Sequence, residues 1–348
     1  MKRMKKVISI VLASTLLVSM LAACGNKTTT TGNTGGIESK KFAVLVKSAG
    51  NPFNERQSSG FEEVIKKAGA QVIVKAPEAP TAEAQITMIN ELVAQKVDAI
   101  AIAGNDFDAL SPALKKAMDA GIKILSFDSA VNATSRMVHI NQADSEKIGR
   151  TLIQATKEMV GGAGQIAILS ATSQAANQNT WIEWMKTELE EGDYKGMDLV
   201  KIAYGDDEFQ KSVDETEALI KNYPDLKAII APTTVGIMAA AKVVTDRGLI
   251  GKIAITGLGL PSEMAEYITN GSCPWMYLWN PIDVGSLTAH AALALVEGTI
   301  TGAEGNTFTA GTLGEYTIIK AQDGGTEVLL GAPFKFEPSN IDEWKTVY

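Results

Sequence analysis

The residues best placed for chemistry are polar side chains that directly follow predicted β-strands. Lys47 and Asp128 supply a cation and an anion in the first half of the chain, and Asn177 and Gln178 supply amides in the second half. An amide both donates and accepts hydrogen bonds. A polyhydroxylated ligand needs this mixture, because every hydroxyl also donates and accepts. The pattern therefore favours recognition of a small polyol.

A second set of candidates occupies similar positions. Pro232 and Thr234 follow a strand of the second half, and aromatic rings elsewhere could lie against the apolar C–H face of a sugar. The further candidates for ligand binding are Asn51, Phe53, Asn105, Trp279 and Asn280. Their convergence at strand ends favours one binding site over separate structural roles.

Each candidate also has a structural alternative. Lys47 and Asp128 could form a salt bridge between strands, and Asn177 could cap a helix. Pro232 and Thr234 could form a turn that leads into a helix. The residues alone leave these alternatives open.

No catalytic motif accompanies the candidates. Gly162-Ala163-Gly164 begins a loose dinucleotide fingerprint, but it follows a predicted helix and opens a strand, the reverse of the order that such a motif needs. The sequence has no GxxxxGK[ST] phosphate loop and no GxSxG serine elbow. His139 and His290 are the two histidines, and neither has a second histidine at metal-ligand spacing. We therefore predict a protein that is not an enzyme and that uses no cofactor and no metal ion.

The elements that position the candidates alternate between strand and helix. From Lys41 onward, short β-branched runs alternate with amphipathic helical stretches, and the pattern restarts near Ser145. We predict an α/β fold of two doubly wound Rossmann-like lobes joined by a three-segment hinge. The predicted lobes are residues 41–141 with 260–310, and residues 142–259 with 311–348. Because open α/β sheets bind ligands beyond the carboxyl ends of their strands, two facing lobes form a cleft.

One local prediction matters for the cleft. The pattern predicts a strand over Ile166 to Leu169 and a helix over Thr180 to Glu190. Asn177 and Gln178 are therefore placed between that strand and that helix.

The N-terminal residues are typical of an export signal. Four basic residues precede an apolar stretch from Val7 to Leu21, and Leu21-Ala22-Ala23-Cys24 closes it. This ending resembles the bacterial lipobox, whose cysteine thiol is acylated, and the apolar run is short for a span of about 20 residues. We predict a lipoprotein signal peptide over residues 1–24 with Cys24 as the lipidation site. Residues 25–40, rich in Thr and Gly, are predicted to be a disordered tether.

Charge and cysteine content exclude other classes. Without the leader, 28 basic residues stand against 40 acidic ones, a net charge of −12, so no basic surface for nucleic acid is expected. Cys24 and Cys273 are the two cysteines, which excludes a disulfide framework. Cys273 is predicted to be a buried thiol.

Longer motifs point to a known family. They are NPF at 51–53, SPALKKAMDAGIKILSFDS at 111–129, NQNTW at 177–181, IIAPTTVGIMAAA at 229–241, LWNP at 278–281 and EGNTFTAGTLGEYT at 304–317. Together they resemble the class I periplasmic solute-binding proteins of sugar ABC transporters, in particular the rhamnose-binding proteins and the related autoinducer-2 receptors. The resemblance implies a periplasmic binding protein-like I fold and a monomer, lipid-anchored outside the cytoplasm, that delivers a small ligand to an ABC permease.

The resemblance also implies which residues hold the ligand. The autoinducer-2 receptors use a lysine, an aspartate, an Asp-Gln pair, and a proline and alanine of one loop. Asn177 stands where those receptors have aspartate, and Thr234 where they have alanine, and both changes resemble the rhamnose-type pattern. A rhamnose-like sugar is therefore favoured, with an autoinducer-2 receptor or an extracytoplasmic sugar sensor as alternatives. The matching positions are Lys47, Asp128, Gln178 and Pro232.

Overall fold

The computed structural model describes residues 36–348. The predicted signal peptide, Cys24 and residues 25–35 of the predicted tether lie outside the described residues. Ile37–Ser39 form a 3₁₀ turn, and Lys40 Nζ lies 3.0 Å from Asp98 Oδ1. The predicted tether therefore extends too far, because Ile37–Ser39 are folded and Lys40 pairs with Asp98. Among residues 36–348, we find no helix with the length and apolarity needed to cross a bilayer.

Strands and helices alternate along the described chain, as predicted. The strands are β1 (Lys41–Leu45), β2 (Gln71–Lys75), β3 (Ala99–Ile102), β4 (Lys123–Phe127), β5 (His139–Asn141), β6 (Ala163–Ser170), β7 (Gly196–Tyr204), β8 (Leu226–Ala231), β9 (Ala254–Gly257), β10 (Met276–Leu278), β11 (Thr307–Thr309), β12 (Glu315–Thr317), β13 (Ile319–Lys320), β14 (Thr326–Leu329) and β15 (Phe334–Phe336). The helices are α1 (Pro52–Lys67), α2 (Ala82–Ala94), α3 (Ser111–Asp119), α4 (Ser145–Val160), α5 (Ala176–Leu189), α6 (Phe209–Asn222), α7 (Thr234–Asp246), α8 (Pro261–Asn270), α9 (Pro281–Glu297) and α10 (Ile341–Trp344).

The first lobe is built on a seven-stranded sheet in the order β13-β14-β5-β4-β3-β1-β2. Its pairs are parallel except for β13 with β14. Phe42 and Val44 of β1 belong to one buried cluster, whereas Ala43 and Leu45 belong to another on the opposite face. Side chains alternate across a strand, so an almost wholly apolar strand needs cover on both faces. Helices α1 and α9 cover one face, and α2 and α3 cover the other.

Two glycines allow α1 and α9 to approach closely. A Cβ on Gly60 would lie 2.1 Å from the Ile282 carbonyl oxygen, and one on Gly285 would lie 1.9 Å from the Gln57 carbonyl oxygen. Any larger residue would push the helices apart, which would also shift the two loops that precede them. Both of those loops carry candidate residues.

The second lobe is built on the parallel sheet β7-β6-β8-β9. A parallel bridge between Leu258 and Tyr277 brings β10 beside β9, and β10 pairs with β15 in antiparallel fashion. The chain crosses between the lobes three times, after β5, after β10 and after β14. These crossings and the two mainly parallel sheets are the predicted fold, with the carboxyl ends of the strands of both lobes facing each other.

The predicted division of the C-terminal residues differs from the observed pairing. The sequence places residues 311–348 in the second lobe, but β14 pairs with β5 in the first sheet. It places residues 260–310 in the first lobe, but α8 packs against α7 and α10 of the second. Short strands give no sequence signal of their partner, because pairing is decided by the sheet edge that the tertiary fold leaves open.

Candidate functional site

A cavity of about 40 Å³ lies where strand ends of the two lobes meet. We call it the inner cavity. Nine of the eleven candidate ligand-binding residues line it, and they come from both lobes and from the crossing after β10. These nine are Lys47, Asn51, Phe53, Asp128, Asn177, Gln178, Pro232, Thr234 and Trp279.

The other two candidates lie outside the lining. Asn105 lies behind it and donates from Nδ2 to the Lys47 carbonyl oxygen at 2.8 Å, while its own backbone N–H donates to Gln85 Oε1 at 2.8 Å. Asn280 caps α9, because its Oδ1 accepts from the backbone N–H of Ile282 at 2.9 Å. The structure thus gives both residues positioning roles: Asn105 fixes the loop that carries Lys47, and Asn280 fixes the start of α9.

The charged centre of the inner cavity is bridged across the lobes by one amide. Lys47 Nζ donates to Asn177 Oδ1 at 3.5 Å, and Asn177 Nδ2 donates to Asp128 Oδ1 at 3.4 Å. The salt-bridge alternative is therefore wrong, since an amide from the second lobe stands between the two charges. Both hydrogen bonds are long, and a ligand with shorter ones could replace them.

Asp128 combines a buried carboxyl with an unfavourable backbone conformation. Its residue is 4% exposed, and its backbone lies in the left-handed region with φ of 56°. The pKa of its carboxyl is raised to about 6, mainly by burial and in part by the nearby Asp207 charge, although Lys47 and the hydrogen bond from Asn177 act to lower it. A buried carboxyl with such a pKa in a cleft is typical of a functional group.

The amides of the second lobe lie on a helix rather than in a loop. Helix α5 begins at Ala176, so Asn177 and Gln178 belong to its first turn, and the predicted start at Thr180 is wrong. Gln178 Oε1 accepts from Ser170 Oγ at 2.6 Å and from the Ala171 backbone N–H at 2.8 Å. With its oxygen occupied in this way, Gln178 has its Nε2 donors to offer to the inner cavity.

Several lining residues were missed by the sequence interpretation. Asp207 follows β7 and accepts a hydrogen bond from Thr233 Oγ1, at the start of α7. The strand-end rule could have found Asp207, because it lies in the loop after β7, three residues beyond the end of that strand. The other residues of the lining that were not candidates are Asn54, Trp181, Leu258 and Leu278.

Three aromatic rings close one side of the inner cavity. The ring centroids of Phe53 and Trp279 are 6.4 Å apart, and those of Trp181 and Trp279 are 5.8 Å apart, both in edge-to-face geometry. Within residues 36–348, the indole N–H groups of both tryptophans have no hydrogen-bond partner. The wall therefore combines apolar ring surface with donors that remain available.

His139 and Cys273 are two buried titratable residues outside the inner cavity. His139 Nδ1 lies 2.9 Å from Ser126 Oγ, and burial lowers the pKa of the imidazole to about 3. Cys273 is buried, and burial raises the pKa of its thiol. In the part of the chain that the structure describes, no group of three His, Cys, Asp or Glu side chains is arranged to hold a metal ion.

The sequence and fold of the chain are similar to those of characterised proteins over almost all of the described residues. The model of a periplasmic binding protein domain matches residues 42–300. An ABC transporter solute-binding protein from Clostridium phytofermentas with bound L-rhamnose is 53% identical, with a TM-score of 0.88, and the match covers 89% of this chain and 99% of that one.

More distant relatives share the fold. LsrB from Clostridium saccharobutylicum in complex with AI-2 is 22% identical with a TM-score of 0.81, over 87% of this chain and 99% of that one. The ribose import binding protein RbsB of Bacillus subtilis is 22% identical over 298 residues, which is 85% of this chain and 94% of the relative.

Proposed function

The chain belongs to the family of periplasmic binding proteins, and on that premise we propose that it is the solute-binding component of a sugar ABC importer. Its ligand is a rhamnose-like sugar held by the residues that line the inner cavity, which must widen to admit it because about 40 Å³ holds about one water molecule. The observation that carries the proposal is that charged, amide and aromatic side chains of both lobes meet around this one cavity. The 53% identity to a protein with bound L-rhamnose supports a ligand of that kind.

The two lobes supply complementary parts of the hydrogen-bonding set. The ionised Asp128 carboxylate accepts from ligand hydroxyls, and Lys47 and Gln178 Nε2 donate to ligand oxygens. Hydrogen bonds to an ionised group are shorter and stronger than those between neutral groups. The ligand therefore replaces the two long bonds of Asn177 with stronger ones to both lobes.

Contact with both lobes is also what couples binding to closure. A ligand shifts a conformational equilibrium only as far as it binds one state better than the other. A sugar that reaches Asp128 in the first lobe and Gln178 in the second makes all of its contacts only when the lobes meet. The closed form then presents a combined surface to a permease.

The role outside the cytoplasm completes the proposal. The protein works as a monomer, with the Cys24 thiol acylated and the folded part tethered near the permease. Detergent-phase partition of the expressed protein tests the anchor, with Cys24→Ala as the variant that should move to the aqueous phase. Recovery of Cys24→Ala from the detergent phase would contradict it.

Calorimetric titration tests the ligand. L-rhamnose, other sugars and autoinducer-2 are titrated into the purified protein, and L-rhamnose is expected to bind most tightly. Recovery of unmodified sugar after long incubation would agree with binding without catalysis, whereas a product would favour an enzyme. A permease gene and an ATPase gene beside this one favour an importer over a sensor.

An autoinducer-2 receptor is the second candidate. The match of Lys47, Asp128, Gln178 and Pro232 to that pattern favours it, and all four line the inner cavity. Asn177 and Thr234 disfavour it. Tighter binding of autoinducer-2 than of every sugar would make it the preferred function.

A further inference from the structure

A larger cavity adjoins the inner one. It has a volume of about 740 Å³, and Asp128 and Asn177 line both cavities. We call it the outer cavity, defined by Phe107, Arg136, His139, Gln142, Asn179 and Glu327. Because the two cavities share part of their walls, a ligand in the inner cavity lies next to the outer one.

The outer cavity contains a buried amide without partners. Gln142, the first residue after β5, is 1% exposed and lines this cavity. Among residues 36–348, nothing hydrogen-bonds to either its Nε2 or its Oε1. Buried polar groups are almost always paired, so this amide points to a ligand that offers both a donor and an acceptor, as a hydroxyl does.

The charges around the outer cavity argue against a charged occupant. The carboxylate of Asp106 accepts from the backbone N–H groups of Asp108 and Ala109, at 2.8 and 2.7 Å, and that of Asp144 accepts from the Lys147 N–H at 2.8 Å. The negative charge of these carboxylates disfavours an anionic ligand. Both carboxylates accept hydrogen bonds from nearby backbone N–H groups, so they do not converge on a site for a cation.

The one cation of the lining is also engaged. Arg136 Nη2 donates to both carboxylate oxygens of Asp323, at 3.0 and 2.7 Å. Its charge is therefore balanced by Asp323, which weakens its attraction for a ligand carboxylate or phosphate. Because the charged groups of the lining are engaged with other groups of the protein, the outer cavity suits a neutral ligand.

The outer cavity also has an aromatic wall. Phe107, in the loop after β3, is half-buried and lines it. A ring face together with the unpartnered amide of Gln142 offers an apolar surface for C–H groups and polar groups for hydroxyls.

We propose that the outer cavity is a second sugar subsite, which holds the neutral second sugar unit of a glycoside whose first ring occupies the inner cavity. The proposal rests on the proposed function, and it extends the ligand of the same cleft from one sugar unit to a glycoside of two. The glycosidic link passes between Asn177 and Asp128, whose hydrogen bond of 3.4 Å is long enough to give way.

The test compares one sugar unit with two. L-rhamnose and the α-1,2-, α-1,3- and α-1,4-linked L-rhamnobioses are titrated into the purified protein by calorimetry. We expect at least one rhamnobiose to bind about tenfold more tightly than L-rhamnose, which is about 1.4 kcal/mol. Gln142→Leu should remove that gain and leave the affinity for L-rhamnose within twofold.

Phe107→Ala gives an independent measurement, because Phe107 lies in the loop after β3, away from Gln142 in the chain, and is only half-buried. It should lower rhamnobiose affinity alone, and a thermal melt checks that both variants remain folded. Binding of L-rhamnose with at least tenfold weaker binding of every rhamnobiose would overturn the subsite and leave the proposed function intact. Equal affinities that neither variant alters would do the same, whereas no binding of L-rhamnose would remove the proposed function itself.

Discussion

The two lobes contribute different chemistry to the inner cavity. The first lobe provides Lys47 and Asp128, which lie two residues and one residue beyond the ends of β1 and β4. The second lobe provides Asn177, Gln178 and Thr234 from the first turns of helices, all of them neutral. Asp207 is the exception, as a carboxylate that accepts a hydrogen bond from its own lobe.

The lobes also differ in how firmly these groups are held. The Lys47 carbonyl accepts from Asn105, and the Asp128 backbone N–H donates to the Ile140 carbonyl at 3.1 Å, so the first lobe fixes both residues from behind. Asn177 makes its side-chain bonds to the other lobe and to its own neighbour Gln178. We infer that the first lobe provides most of the affinity and the second tunes which ligand is preferred.

The largest effect is expected from Asp128→Ala. The change removes an acceptor for ligand hydroxyls, and hydrogen bonds to an ionised group contribute about 1.5–3 kcal/mol each. Sugar affinity measured by calorimetry should fall about 100-fold or more, with an unchanged circular dichroism spectrum. Asp119→Asn is the matched control, because it removes an exposed carboxylate from the same lobe. Full affinity in Asp128→Ala would show that the first lobe does not dominate.

Asp128→Asn should stabilise the unliganded protein. A carboxyl whose pKa rises from 3.8 to about 6 on folding makes the protein less stable as pH rises from about 4 to about 6, because the folded state keeps the proton longer. The neutral amide avoids this cost, so the free energy of unfolding at pH 7 should rise by about 3 kcal/mol. Urea titration at pH 7 and pH 4 measures it, and the gain should vanish at pH 4. A less stable variant at pH 7 would mean that Asp128 holds the fold together rather than straining it.

Sugar affinity should depend on pH through the same group. The ligand hydroxyls bind the ionised carboxylate, so affinity rises as pH passes upward through about 6. Titrations at pH 5 and pH 7 should differ about tenfold, and Asp128→Asn should flatten the profile. A flat profile in the unmodified protein would show that the first-lobe charge does not take part.

The smallest effect is expected in the second lobe. Asn177→Asp with Thr234→Ala restores the residues of the autoinducer-2 pattern and changes one charge and one hydroxyl. The ratio of autoinducer-2 to L-rhamnose affinity should increase about fivefold, as measured by competition. Unchanged relative affinities would show that these two positions do not set the preference between ligands.

The sequence interpretation was strongest where periodicity was regular. The amphipathic run from Ser145 to Val160 predicts a helix over those residues, and α4 has the same bounds, with a left-handed glycine, Gly161, after it. It was weakest in the last forty residues. Strands β11 and β15 and helix α10 were not predicted, since three- and four-residue elements carry too little periodic signal.

The residues of the candidate site were also predicted only in part. The strand-end rule predicted nine residues of the inner cavity, yet the same rule included Asn105, which lies behind it, and passed over Asp207. The position of a residue after a strand determines which edge of the sheet it lies at. It does not determine whether the side chain of that residue points into the cleft or back into its own lobe. Asn105 points back because its side-chain Nδ2 donates to the Lys47 carbonyl oxygen there.

The sequence by itself determined the class of the molecule: alternating strands and helices, a net negative charge and the longer family motifs follow from local patterns and composition. Only the tertiary structure decided which lobe each C-terminal segment joins, and that Asn177 stands between Lys47 and Asp128. It also revealed the outer cavity beside them. The physical reason is that strand pairing, burial and the raised pKa of Asp128 depend on neighbours that are distant in the chain, and local sequence does not specify them.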